Sequence, residues 1–127
     1  MGFQEAVRAF FSNYAKFDGR SARSEYWWPV LAMTIVNYFI ILPIQLLVSE
    51  GFGGILSIIF SLVILIPSIA VAIRRLHDTD KSGWWYLLIF LPIIGWIALI
   101  VFFATAGTSG SNRFGPDPLG SDANVFN

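Results

Sequence analysis

The stretch Ile73 to Trp85, IRRLHDTDKSGWW, sets His77 beside Asp78, one turn after Arg74 and Arg75. Residues of these types can move a proton, grip a phosphate or pair with one another. The stretch holds three of the chain's eight Lys and Arg residues, two of its eight Asp and Glu, and its single histidine. A general base would need His77 and Asp78 to converge, yet neighbours on a helix point in different directions. A lone histidine offers no typical metal site, and the chain has no cysteine, no Gly-x-Ser-x-Gly turn and no phosphate loop. A lipid-modifying enzyme using His77 and Asp78 is therefore the weakest reading. No catalytic, cofactor-binding or metal residues are expected.

Structural roles come first. Arg74 and Arg75 end a helix, where the macrodipole favours cations, and Asp78 lies within ion-pairing reach of both. Asp80 or Ser82 can cap the next helix, and Trp84 and Trp85 suit a membrane interface. A second segment, GRSARSEYWW, repeats the theme with Arg20, Arg23, Glu25 and Trp27. Facing each other, the two segments would form a rim with four guanidiniums against two carboxylates. That positive surplus suits anionic lipid headgroups or phosphate. Arg20, Arg23, Glu25, Trp27, Arg74, Arg75, His77, Asp78, Trp84 and Trp85 are thus the candidate contacts for anionic lipid or a protein partner.

The elements that position this rim are written in the charge-free runs. The chain is 56% hydrophobic and 13% charged, against soluble averages of roughly 45–50% and 25%. There are 24 uncharged residues between Glu25 and Glu50 and 23 between Glu50 and Arg74, and a third apolar run covers 84–104. A ~30 Å hydrocarbon core needs about 20 helical residues. The expectation is an all-α integral membrane protein with three transmembrane helices, over 27–48, 55–73 and 84–104. Ahead of them, Phe3, Val7, Phe10, Phe11 and Tyr14 trace one face of an amphipathic helix over 2–16. Its two settings are the headgroup layer, preferred for so aromatic a face, or the bundle itself.

Within the spans, Asn37 and Gln45 are expected to bond across helix interfaces. Ser57, Ser61, Ser68 and Ala72 form a small-residue stripe that lets helices approach closely. The same polar groups could instead line a path for a small transporter or channel component. Pro67 should kink its helix and leave a carbonyl one turn earlier in need of another donor. Ser21 or Ser24 should cap the first span, with Pro29 in its first turn. Pro92 and Gly95 interrupt the third apolar run. A kinked span is expected there, because each arm of a re-entrant hairpin would hold only about eight to ten residues.

Four Lys or Arg precede the first span, none follows it, three lie between 74 and 83, and Arg113 is in the tail. That asymmetry places the N-terminus and a 74–83 loop in the cytoplasm, and the polar, largely flexible tail 105–127 on the opposite side. With zero net charge, nothing argues for nucleic acid. The first residues lack a signal peptide's basic and apolar regions, so no leader is expected.

YAKFDGRSARSEYWW, RRLHDTDKSGWW, LPIIGW and NRFGPDP resemble, in order, the signature segments of the bacterial family named domain of unknown function 805. The resemblance runs from about Phe11 to Pro118. It implies a small bacterial inner-membrane protein and no assigned activity. It also singles out Asn112, Arg113, Gly115 and Pro116 in the tail; on the residues alone these form a terminal turn. Asp80 stands where the family commonly has glycine. The reading reached is a non-enzymatic scaffold that binds membrane lipids or a protein partner, or itself as a homo-oligomer, without a cofactor.

Overall fold

The computed structural model describes residues 2–118. Its helices are α1 (Phe3–Ser12), α2 (Arg23–Leu47), α3 (Glu50–Asp78), a 3-10 helix (Gly83–Phe90) and α4 (Ile94–Ala104). Among the described residues the only β feature is a single bridge between Asn112 and Gly115.

Burial is inverted relative to a soluble protein. Leu47, Phe90 and Trp84 are 84%, 79% and 78% exposed, whereas Arg74, Arg75 and Asp78 are 2%, 0% and 2% exposed. A water-soluble chain rarely shows so much contiguous apolar surface. Hydrocarbon outside and polar groups inside is the partition that lipid imposes. Two helices, α2 and α3, are long and apolar enough to cross a membrane.

α2 starts at Arg23, four residues before the expected boundary, with Ala22 at its N-cap and no side-chain cap. Neither Ser21 nor Ser24 serves as the cap, and Pro29 consequently falls in the second turn. Lower in α2, Asn37–Ile41 form a π-turn, with the Leu42 N–H donating to the Asn37 carbonyl. Pro43 explains it: a regular turn would drive the proline ring into the Phe39 carbonyl, and the wider turn relieves that clash.

Ser49 caps α3 by accepting from the Phe52 N–H. The 29 residues of α3 give a length of about 43 Å, well beyond a ~30 Å hydrocarbon core. The second span was expected over 55–73 with a loop after it. Instead the helix runs on, and Arg74, Arg75, His77 and Asp78 sit on its last turns. A Cβ on Gly53 would fall 2.5 Å from the Gln45 Cα, so this glycine sets the close approach of α2 and α3. Pro67 denies the Val63 carbonyl its usual donor, and the Tyr14 hydroxyl supplies one at 2.8 Å.

The third apolar run is not one kinked span. It is a hairpin, and both of its ends lie beside the end of α3. Gly83 packs against Ile73, and the Phe103 carbonyl accepts from Arg75. Arms of eight and eleven residues are each about 16 Å long at 3-10 and α-helical rise, half the depth of the core. The chain reverses at a γ-turn, where Ile93 has φ 67° and the Ile94 N–H donates to Pro92. Gly95 lets the arms touch, since a Cβ there would collide with the Leu88 carbonyl. The Trp96 indole stitches them by donating to Ile89 at 2.7 Å. The tail therefore returns to the end of α3, where the Asp78 carbonyl accepts from the Thr108 N–H and the His77 carbonyl from the Asn112 amide. Within residues 105–118, Thr108 and Asn112 bond to the end of α3, and Gly110 and Gly115 accept from Arg20; the rest of the expected tail lies outside the described residues.

The apolar core is small: Ala72, Leu76, Leu99 and Phe103, flanked by Tyr26, Trp27, Tyr86, Leu88 and Phe102. α1 divides its apolar face. Ala6 and Phe10 are buried in the helix bundle, while Phe3 and Phe11 stay exposed. An apolar cleft of about 160 Å³ separates Phe10 and Phe11 from Pro29, Val36 and Phe60.

Tyr14→Phe should lower stability in detergent by about 1 kcal/mol. In a Pro67→Ala background, where the replacement restores a backbone N–H for the Val63 carbonyl, the same change should cost less. An equal cost in both backgrounds would mean that the hydroxyl is not serving that carbonyl.

Candidate functional site

Two helix C-termini converge at one end of the molecule, and the charged residues are arranged around them. The last four carbonyls of a helix have no partner within it. In α4 each finds a donor elsewhere. Val101 accepts from the Thr105 hydroxyl at 2.6 Å and Phe102 from the Thr105 N–H at 3.3 Å. Phe103 accepts from Arg75 Nε at 2.9 Å and from the Trp27 indole at 3.2 Å. Ala104 accepts from Arg23 at 3.1 Å, and Arg75 also donates to the Thr105 carbonyl.

The end of α3 is capped by the tail. Leu76 accepts from the N–H groups of Thr79 and Lys81. The His77 carbonyl takes the Asn112 amide at 2.9 Å, and the Asp78 carbonyl takes the Thr108 N–H at 2.7 Å. Each helix end carries about half a negative charge. Guanidiniums packed against both are the electrostatic answer.

Asp78 ties the arginines together. Its Oδ1 accepts from Arg20 Nε at 2.9 Å and its Oδ2 from Arg75 at 2.6 Å. Arg20 directs its remaining donors to the tail carbonyls of Thr108, Gly110 and Gly115. Arg75 also reaches the Ser21 carbonyl at 3.1 Å. Arg74 holds the segment before α2, donating to Ser21 Oγ, Asn13 and Lys16 at 2.9, 3.2 and 2.7 Å. It lies 3.6 Å from Glu25.

His77 has separate partners. Its Nδ1 is 2.9 Å from the Gly19 carbonyl, and its ring stacks on Phe114 at 3.9 Å. The imidazole and the Asp78 carboxylate thus engage different groups. Among the described residues no group of three His, Cys, Asp or Glu is placed to hold a metal ion.

The candidate residues separate into three sets. Arg20, Glu25, Arg74, Arg75, His77 and Asp78 do come together, but inward, so they form no open rim. Trp84 and Trp85 remain outside, with Trp85 edge-on to Phe102. Arg23 and Trp27 border a groove of about 480 Å³. The tail residues join the centre: Asn112 bonds to His77, and Arg113 pairs with Asp80 at 3.2 Å. Gly115 turns at φ 133°, with Pro116 following on the surface. Asp80 takes φ 60°, a conformation that aspartate tolerates better than most residues, so the turn survives without the glycine.

Of the packing residues, Asn37, Ser57, Ser61 and Ser68 line a groove of about 330 Å³ between α2 and α3. Ser68 also donates to Met33 Sδ at 3.8 Å. Ala72 is in the core, and Gln45 lies at the far end against Gly53.

The sequence pattern marked no role for Gly107 or Phe114, and Ser21, a candidate cap there, instead holds Arg74 through its hydroxyl oxygen. A Cβ on Gly107 would strike the Asp78 carboxylate. The available signal was a glycine between the last apolar run and the tail motif.

The model of the family described as "Protein of unknown function (DUF805)" matches residues 14–116. The chain belongs to the DUF805 family. Inner membrane protein YhaI of Escherichia coli K12 is 53% identical over 106 residues, covering 84% of this chain and 88% of the relative. Inner membrane protein YhaH of the same strain is 47% identical over 108 residues, covering 84% and 89%. No solved structure matches. The DUF805 match begins at Tyr14, the donor to Val63, and ends at Pro116, just past the last carbonyl that Arg20 holds. It spans the capping centre apart from Asn13, whose carbonyl Arg74 also holds.

Asp78→Asn should lower stability by about 3–5 kcal/mol, because it leaves two buried guanidiniums without their carboxylate. Arg113→Gln, at a half-exposed pair, should change it by about 1 kcal/mol or less. Comparable losses in detergent melting curves would refute the assignment of Asp78 as the keystone.

Proposed function

We propose that this DUF805 protein is a non-enzymatic component of the bacterial inner membrane, a scaffold that binds anionic lipid or a protein partner at its charged end. One observation carries the reading. The arginines and Asp78, which have the types for chemistry, are engaged with one another and with backbone carbonyls, while indoles remain outward. A surface of this kind holds and orients rather than reacts. The names of YhaI and YhaH support the inner membrane.

The charged end faces the cytoplasm in this reading. Seven of the eight Lys and Arg residues, from Lys16 to Arg113, belong to segments gathered there, and the α2–α3 connection carries none. α2 and α3 cross the bilayer, the hairpin dips into the inner half, and the exposed aromatics of α1 meet the same leaflet. Side-specific reporters fused before Met1 and after Asn127 should both register the cytoplasm. A periplasmic signal from the second would overturn this topology.

Partner binding is tested by crosslinking in native membranes and co-purification, comparing the wild type with a Trp84→Ala, Trp85→Ala double variant. The captured proteins or lipids should change while the melting temperature holds. Identical profiles would discard the outward indoles as a binding surface.

The groove between α2 and α3 favours a second reading, a transporter or channel component. Its weakness is that the described lining holds no Asp, Glu, Lys, Arg or His, one of which ion pathways usually have. Flux in proteoliposomes that Asn37→Leu abolishes would move the assignment to that reading.

A further inference from the structure

The hairpin covers only part of the face it packs on. Leu99 and Phe103 lie on Ala72 and Leu76 of α3, with Tyr26 of α2 beside them. Gly83 opens the hairpin against Ile73, and Ser61 lies twelve residues before Ile73, about 18 Å along the helix. Arms of about 16 Å therefore end near Ser61. The same rows continue past that point. Tyr26 leads to Val30, Thr34 and Asn37, and Ala72 leads to Ser68, Ser61 and Ser57, at helical spacing. There they border an open groove of about 330 Å³ between α2 and α3.

Such a lining is unlike a surface made for hydrocarbon. Asn37, Tyr38, Ser57 and Ser61 all border the groove, and none of these side chains has a hydrogen-bond partner among the described residues. Asn37 is fourteen residues from Arg23 and ten from Leu47, about 21 and 15 Å, so it lies near the middle of the span. An amide or hydroxyl left unpaired at that depth is costly. The hairpin adds a separate demand. Its γ-turn at Ile93 is irregular, exposed backbone, which a bilayer core tolerates only under cover of protein or water.

Acyl chains satisfy none of these groups, whereas a second copy of the chain does. An amide is both donor and acceptor, as is each hydroxyl, so the lining is its own complement. The described lining holds no Asp, Glu, Lys, Arg or His, so two copies meet there without opposing like charges. Copies inserted in one orientation bring equal depths together about a two-fold axis along the bilayer normal, where each residue faces its own equivalent. We propose that this groove is the contact between two copies, with each Asn37 amide donating to the other's side-chain oxygen and the serine hydroxyls reaching across the seam. The pairing goes beyond any partner at the charged end and rests only on the membrane placement above.

The chain has no cysteine, so single cysteines report position cleanly. The Thr34 hydroxyl bonds to its own Val30 carbonyl at 2.8 Å, so Thr34→Cys removes nothing from the seam. Oxidised in native membranes, Thr34→Cys should form a disulfide-linked homodimer. Phe39→Cys, on the opposite side of α2, should give at least five-fold less. Sedimentation of the cysteine-free chain in non-ionic detergent should show association that Asn37→Leu weakens about ten-fold, the loss expected for two interhelical amide bonds. Asn37→Gln, which keeps the amide, should stay within about three-fold. Melting of the dilute monomer should be the same for Asn37→Leu and the wild type, because the amide has no partner within its own chain. Monomer alone in both membranes and detergent would overturn the interface, as would equal crosslinking at the two positions or undiminished association in Asn37→Leu. Crosslinking chiefly to a different protein would also overturn it. So would modification of Thr34→Cys by a membrane-impermeant thiol reagent in place of crosslinking, which would reveal a water-filled cavity. Extraction of the wild-type protein by carbonate would instead remove the membrane placement itself.

Discussion

Two helices ending at the same place create the constraint around which this protein is organised. α3 and α4 both point their carbonyl ends at the Arg20–Asp78 centre, and the tail adds more carbonyls from Thr108 to Gly115. Such a concentration of acceptors at a membrane surface would be costly if left to chance solvation. Guanidinium is the suited answer, because one planar group offers five donors in fixed directions. Asp78 keeps those cations from repelling one another. The buried ion pairs are therefore less a reservoir of stability than a means of fixing where separate segments meet.

The same constraint explains why so little of the hydrophobic sequence is buried. In lipid, apolar side chains gain nothing by turning inward, so close backbone approach and polar satisfaction decide the packing. Gly53 against Gln45, Gly95 against Leu88 and Gly107 against Asp78 are three places where the absence of a Cβ lets elements meet. Tyr14 satisfying Val63 is the polar counterpart. The order within the membrane comes from these few points rather than from a large greasy core.

Much of this was legible in the residues, and some was not. The vacancy left by Pro67 follows from the chemistry of proline alone, and the carbonyl one turn earlier does find a donor. The meeting of the two Arg-rich segments follows from their repeated composition. What the pattern hid was direction. Arg20, Arg74 and Arg75 have side chains long enough to face water or fold inward, and the positions of the tail and of the segment before α2 decide between them. The hairpin was obscured because about eight residues per arm is too few to cross a bilayer, yet ample to reach its middle. Ile93 gave no warning either, since a β-branched residue is an unusual choice for a positive φ. The helical extension past Ile73 was masked by charge, which reads as loop even where a helix simply outlasts the hydrocarbon.

The shallow hairpin has a geometrical consequence for the surrounding bilayer. In the proposed placement, only α2 and α3 would displace lipid below the γ-turn at Ile93, and both hairpin arms and part of α1 would do so above it. The molecule would then be a wedge whose two faces occupy unequal areas, and each copy inserted would shift lateral pressure toward one leaflet. A membrane crowded with such wedges would bend, and a curved patch would collect them.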